Sequence, residues 1–166
     1  PLWIVPELAW APVILMPFSA MLIVLGVTSS NPTSAGQDKA IERDQPATGI
    51  TRVTRHPFLV GVVLWAAGHI IANGEVASMI FFGGFLVLGT IGPLNIDAKL
   101  QKRKPEAWEK LAQTTSIVPF VAIMQGRNTF NLSELGWWRI AVGLGLYVAL
   151  WSIHEPFTGA PIVLGG

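Results

Sequence analysis

The chain has no cysteine and few charged residues. The absence of cysteine excludes a disulfide framework, thiolate metal sites and a cysteine nucleophile. Only 13% of the 166 residues are charged, which is about half the usual share for a soluble domain. The net charge is +1 and there is no basic-aromatic nucleic-acid motif, so we expect no nucleic-acid partner. Hydrophobic residues make up 51% of the chain and cluster in long runs, which indicates an integral protein of a lipid bilayer.

Four apolar runs are long enough, or nearly so, to cross a bilayer. They lie at about 8–27, 57–72, 76–96 and 135–153. A fifth apolar segment, 116–126, has eleven residues and contains Pro119, which favours an interfacial or re-entrant position over a span. The sequence therefore predicts an all-α fold: a polytopic membrane bundle with four transmembrane helices, in a single membrane domain over 1–166.

The basic residues fix a topology for these spans. All eleven Lys and Arg residues fall either between the first and second spans or between Lys99 and Arg139. Four spans place both stretches on the same side, and the positive-inside rule makes that side cytoplasmic. We therefore expect a multi-pass protein of a bacterial inner membrane, with loops 28–56 and 97–134 cytoplasmic and the C-terminus periplasmic. The chain starts at Pro1 rather than at methionine, and we expect it to be truncated at its N-terminus.

Three histidines are the main candidates for chemistry. His69 lies inside the second apolar run, where an ionisable side chain is costly and indicates a functional site. His154 ends the fourth run, so the topology brings both to the outer side, where their imidazoles can ligate one metal. The structural alternatives are a neutral His69 bonded to a neighbouring helix and a His154 that caps its helix at the interface. His56 lies about 20 Å along the helix from His69 and cannot share that metal.

Residues around His69 allow two interpretations. Gly61 and Gly68 are seven positions apart and share one helix face, with Trp65 close by. Small residues on one face suit close packing against another helix. They equally suit a flat macrocycle that lies against the backbone, with the imidazole as iron ligand.

The start of the second span also allows two interpretations. Arg55 and His56 precede Pro57, an arrangement typical of a helix start at the headgroup boundary. The functional alternative is that they bind an anionic group, such as a phosphate, a carboxylate or a haem propionate, at a helix N-terminus. Asp97 closes the third span on the same side, where it is either their salt-bridge partner or a site acid.

Six motifs, distributed over most of the chain, carry a family resemblance. They are GITRVTRHPFLVG (49–61), LWAAGH (64–69), NG (73–74), FFGGFLV (81–87), QGR (125–127) and GWWR (136–139). Together they resemble the NnrU family, which is named from bacterial nitrite and nitric oxide reductase gene clusters. A better-understood relative of that family is the plastid zeta-carotene isomerase, a haem b membrane protein that isomerises a cis double bond in a carotenoid.

The resemblance implies a haem-associated membrane protein that is isomerase-like on an isoprenoid or linked to nitric oxide and nitrite reduction. It implies haem b as the cofactor and His69 as one metal ligand. The second ligand would be His154 or a histidine in family helices that precede this chain. The residues expected at the cofactor are Arg55, His56, Gly61, Trp65, Gly68 and His69.

Two other functions remain open at this stage. The first is a non-catalytic accessory or assembly subunit of a larger respiratory or photosynthetic membrane complex, because small residues on several spans suit packing against other helices. The second is a methyltransferase that uses S-adenosylmethionine. Asp97, Leu100, Trp108 and Pro119 loosely resemble the pattern of isoprenylcysteine carboxyl methyltransferase-type enzymes, but the paired glutamates and the Gly-Tyr-Tyr spacing of those enzymes are absent.

Overall fold

The computed structural model describes residues 2–3, 5–159 and 162, and within these residues the fold is helical and contains no strand. The α-helices are α1 (Trp10–Thr28), α2 (Ile50–Val53), α3 (Pro57–Ala72), α4 (Val76–Arg103), α5 (Pro105–Thr114), α6 (Val121–Met124) and α7 (Trp137–Thr158). Short 3-10 helices lie at Pro6–Ala9, Asp38–Glu42 and Leu132–Leu135. This architecture confirms the prediction of an all-α membrane bundle.

Four helices form the bundle. Among the described residues, three are long and apolar enough to cross a membrane: α1 with the turn before it, α4 and α7. The fourth, α3, has 16 residues, which gives about 24 Å of helix and falls slightly short of a full hydrocarbon layer. α3 has the bounds expected from the sequence, whereas α4 continues beyond residue 96 to Arg103. The part of α4 after residue 96 buries Asp97 and Leu100 against the loops, and this packing stabilises the helix beyond the apolar run.

Glycines set the spacing between antiparallel helices. α1 packs against both α3 and α7, and α3 also packs against α4. A Cβ added at Gly61 of α3 would lie 2.8 Å from Ile23 and 3.0 Å from the carbonyl oxygen of Ser19 in α1. At the other end of α3, a Cβ on Gly68 would lie 2.9 Å from Met16. α1 and α3 are therefore in contact along most of their length.

The two basic loop regions pack together at one end of the bundle, which we call the basic end. Thr54 donates a hydrogen bond to the carbonyl oxygen of Ile117 at 2.6 Å, and the backbone N–H of Phe120 donates to Val53 at 2.9 Å. Segment 116–126 forms only the four-residue helix α6 and turns, with Ala122 fully buried against the loops. The structure therefore agrees with the prediction that this segment is not a span and that both loops lie on one side.

A second contact between the loops is a charged one. Glu134 accepts hydrogen bonds from the Arg52 guanidinium at 2.8 and 3.0 Å and from the backbone N–H of Gly49 at 2.7 Å. Gly49 has φ +56, and a Cβ there would lie 3.1 Å from the carbonyl oxygen of Glu134, so both conformation and space favour glycine. The Arg52 hydrogen bonds, followed by the one from Gly49, lower the pKa of Glu134 below its ordinary value.

Candidate functional site

The first candidate site is a buried ion cluster at the basic end, formed by Arg55, His56 and Asp97. One carboxylate oxygen of Asp97 accepts from the Arg55 guanidinium at 2.9 Å, and the other lies 2.7 Å from Nε2 of His56. His56 is only 2% exposed and Arg55 8%. An ionised Asp97 can only accept, so this geometry places a proton on Nε2 of His56. The prediction that Asp97 is the salt-bridge partner of these residues is confirmed.

Two residues from the second loop complete the surroundings of Arg55. Thr115 accepts a hydrogen bond from the guanidinium at 2.9 Å on its hydroxyl oxygen. The ring of Trp108 lies under the guanidinium carbon, 4.8 Å from it, as a cation–π contact. No sequence motif predicts these contacts, because both residues lie more than fifty positions from Arg55 and the contacts depend on how α5 returns to the bundle.

A cavity of about 350 Å³ opens beside this cluster. His56 lines it together with residues from the end of α1, the first loop, the start of α3 and the C-terminal half of α4. The lining residues are Gly26, Val27, Asn31, Thr33, Ser34, Ala35, Gln37, His56, Phe58, Leu59 and Ile96. Sequence reasoning missed Asn31 and Gln37, because single amides in a polar loop belong to no recognisable pattern.

The second candidate site is a pair of imidazoles at the opposite end of the bundle. The rings of His69 in α3 and His154 in α7 lie 6.3 Å apart between centroids, although 85 positions separate them in the sequence. Nδ1 of His69 lies 2.8 Å from the carbonyl oxygen of Trp65. A carbonyl oxygen only accepts, so Nδ1 carries the proton and the lone pair of His69 is on Nε2.

Aromatic side chains surround His69. Phe82 of α4 stacks on its ring, with centroids 4.6 Å apart and planes 22° from parallel. Trp65 lies 5.0 Å from Phe82 and 5.2 Å from Phe85 in edge-to-face geometry. Phe81 extends the same cluster toward the exposed face of α4. His69 therefore lies next to a cluster of aromatic rings, which we call the α3–α4 aromatic cluster: Trp65 of α3 and Phe81, Phe82 and Phe85 of α4.

The predicted cofactor residues fall into three separate places. Arg55 and His56 are at the basic end, and Trp65 and His69 are at the histidine pair. Gly61 and Gly68 face α1, which occupies the space beside them. These two glycines therefore have the helix-packing role that was one of the two interpretations of the sequence.

The histidine pair suits a metal that needs few protein ligands. No group of three or more His, Asp or Glu side chains within residues 2–3, 5–159 and 162 is arranged to hold a metal ion. A structural zinc ion takes four such ligands, whereas haem iron takes four from its macrocycle and needs only axial ligands from the protein. The 6.3 Å separation of the ring centroids is short enough for His69 and His154 to ligate one metal ion together.

The bundle and its two sites define the class of the molecule: a polytopic helical membrane protein with paired histidines in its apolar part and an ion cluster at one end. The chain belongs to the NnrU family, because the profile described as "NnrU protein" matches residues 1–162.

Two curated plant proteins are similar to part of the chain. It is 38% identical over 81 residues to "15-cis-zeta-carotene isomerase, chloroplastic" of Arabidopsis thaliana, and 40% identical over 81 residues to the protein of the same name in Zea mays. Each alignment covers 49% of this chain and 22% of the plant protein, so the similarity spans less than a quarter of either relative. No solved structure matches the chain.

Proposed function

We propose that this protein is a haem-dependent membrane isomerase that acts on a carotenoid-like polyene. The observation that carries the proposal is the pairing of His69 with His154 across two helices, 6.3 Å apart. The similarity to two proteins named as carotene isomerases supports the substrate class and the type of reaction.

His69 and His154 are the two residues that would hold the haem iron. The hydrogen bond from Nδ1 of His69 to Trp65 fixes the imidazole tautomer and orients Nε2 as the ligating atom. Phe82 stacks on the same ring and restricts its rotation. These contacts hold the ligand in place before the cofactor binds, which lowers the entropic cost of binding.

When bound, haem would supply an iron centre able to exchange an electron with a conjugated double bond and so lower its barrier to rotation. The chain's own contribution is binding and orientation. The α3–α4 aromatic cluster gives an apolar surface beside His69, and Phe81 lies on its exposed side. A polyene has no hydrogen-bonding groups along its conjugated chain, so shape and apolar contact must position it.

The test is haem content of the full-length protein purified in detergent, measured by the pyridine haemochrome assay. We expect about one haem b per chain in the unmodified protein, as one pair of axial ligands holds one iron. We expect His69→Ala to lose most of that haem while remaining inserted in the membrane. Tyr147→Phe, in the same helix as His154, is the matched control and retains it.

A His69→Ala variant with normal haem content would overturn the assignment of the ligand. Purified protein without haem, prepared with haem available during expression, would overturn the proposed cofactor. Haem binding without conversion of cis-carotenes by membranes that contain the protein would overturn the substrate and leave the cofactor in place.

One observation favours a second function, that of an accessory subunit in a larger membrane complex. A Cβ added at Gly83, Gly84 or Gly145 would meet nothing within 4 Å, whereas Gly89 and Gly143 are packed against helices of this chain. Small residues on open helix faces suit close packing by further transmembrane helices. Stoichiometric co-purification of a respiratory or photosynthetic complex in mild detergent, lost in Gly83→Leu, is the result this alternative requires.

A further inference from the structure

The cavity at the basic end is separate from the histidine pair and contains several polar groups without partners. The backbone N–H of Thr33 donates to Oδ1 of Asn31 at 2.9 Å, and the backbone N–H of Asn31 donates to Oε1 of Gln37 at 2.9 Å. These two donors fix the orientation of both side-chain amides. The Nδ2 of Asn31 and the Nε2 of Gln37 have no acceptor among the residues that the structure describes, although Asn31 is only 2% exposed.

His56 adds a third group to the same cavity. Asp97 engages its Nε2, so Nδ1 is the ring nitrogen that remains for an occupant of the cavity. No hydrogen bond within the described part of the chain involves that atom. A group placed against Nδ1 would therefore interact with a ring whose other nitrogen is held in place by a carboxylate.

The start of α3 supplies backbone donors. Pro57 has no N–H, and the N–H groups of Phe58 and Leu59, which both line the cavity, have no acceptor among the described residues. Unpaired N–H groups and the helix dipole together favour negative charge at a helix N-terminus. No carboxylate lines the described wall of the cavity.

We propose that this cavity is a binding site for the phosphate group of an amphipathic lipid. The amides of Asn31 and Gln37, the imidazole of His56 and the start of α3 bind the phosphate. Val27, Leu59 and Ile96 form an apolar wall that takes the first part of the lipid chain. A volume of about 350 Å³ exceeds what a bare phosphate needs and lies within the range of ligand pockets, about 300–1,000 Å³.

The hydrogen-bond donors of the cavity favour a phosphate group, which can belong to a lipid headgroup or to free inorganic phosphate. The experiment therefore uses three probes on the full-length protein in neutral detergent. They are dioleoyl phosphatidic acid, dioleoylglycerol and inorganic phosphate, with binding measured by native mass spectrometry and by the shift in thermal midpoint. We expect phosphatidic acid to bind most tightly, inorganic phosphate more weakly and dioleoylglycerol not measurably.

Two variants test the residues. His56→Gln keeps a donor toward Asp97 but removes the imidazole ring from the cavity wall, and we expect it to weaken phosphatidic acid binding about tenfold. Gln37→Leu removes one neutral donor and should weaken binding by a few-fold. Gln113→Leu makes the same substitution on the exposed face of α5 and should leave binding unchanged.

Each outcome decides the proposal. A phosphate site is supported if the protein binds both phosphatidic acid and inorganic phosphate and if both variants weaken this binding. Equal affinity for the two probes supports the same site with free phosphate as its source. The proposal fails if dioleoylglycerol binds as tightly as phosphatidic acid, if neither phosphate probe binds, or if Gln37→Leu and His56→Gln bind like the unmodified protein. If His56→Gln does not fold, the proposal is decided by comparing phosphatidic acid binding of Gln37→Leu with that of Gln113→Leu. Haem content plays no part in this readout, so the result is independent of the proposed isomerase function.

Discussion

At the scale of single residues, the buried ion cluster predicts that removing one of its charges destabilises the protein more than removing an opposite pair of charges. Asp97 is surrounded by cationic and donor groups, and its side chain is only 11% exposed. Removing one partner from a buried ion pair leaves the other charge uncompensated, whereas replacing both with apolar groups of similar volume removes the desolvation cost as well.

We therefore predict that Asp97→Leu lowers the free energy of unfolding by about 3–5 kcal/mol, because Arg55 stays buried without its carboxylate. Combining it with Arg55→Met should recover much of that loss. Unfolding in mixed micelles is the measurement, with Asp44→Leu in the exposed part of the first loop as control. A double variant as unstable as the sum of the two single ones would contradict this account of the cluster.

Glu134 gives a prediction for pH. Its pKa is lowered in the folded protein, mainly by Arg52. The contribution of Glu134 to stability is therefore complete above its pKa in the unfolded chain and is lost as the pH falls through its pKa in the folded protein. The unmodified protein should thus be more stable than Glu134→Gln at neutral pH. The difference in thermal midpoint should shrink as the pH falls below the ordinary glutamate value of 4.5. A difference that stays constant over this range would show that the carboxylate charge is not involved.

At the scale of helices, glycines that look alike in the sequence have different surroundings. Gly61 and Gly83 both lie inside apolar helices, but only Gly61 has a neighbouring helix at its Cβ position. The sequence predicted small-residue faces and gave no means to tell which of them pack within the chain, because that depends on the rotation of each helix about its axis.

We predict opposite effects for alanine at these two positions. Gly61→Ala should lower the free energy of unfolding by about 1–3 kcal/mol, because Ile23 and the α1 backbone must move. Gly83→Ala meets nothing within 4 Å and should be neutral or stabilising by up to about 1 kcal/mol through helix propensity. Thermal midpoints in the same detergent provide the comparison, and equal destabilisation by both would mean that the α1–α3 spacing does not depend on Gly61.

At the scale of the whole molecule, hydropathy and charge predicted the bundle well. Apolar runs gave all four long helices, with α3 at its observed bounds, and the grouping of Lys and Arg gave the end at which both loops lie. Antiparallel α3 and α4 then brought Asp97 to Arg55 and His56, so the ion cluster followed from topology alone. These features depend only on the order and length of the helices.

What could not be predicted depends on contacts between distant parts of the chain. The cavity requires the first loop to fold back over the end of α1, which places Asn31 and Gln37 beside His56. The topology predicted that His69 and His154 lie at the same end of the bundle, but the 6.3 Å separation of their rings also depends on the rotation of α7 about its axis, and the apolar composition of α7 is nearly uniform around the helix. Neither a loop path nor a helix rotation of this kind is encoded in a local pattern of residues.

The central claim is that His69 and His154 bind one haem together, and the spin state of the iron tests it most directly. Ferric haem iron that is bound by two imidazoles would be low-spin, and the loss of one imidazole would favour high-spin iron. We predict a low-spin electron paramagnetic resonance spectrum for the full-length ferric protein and conversion to high-spin iron in His154→Ala, with Tyr147→Phe unchanged. A His154→Ala protein that keeps its haem and its low-spin spectrum would contradict the claim.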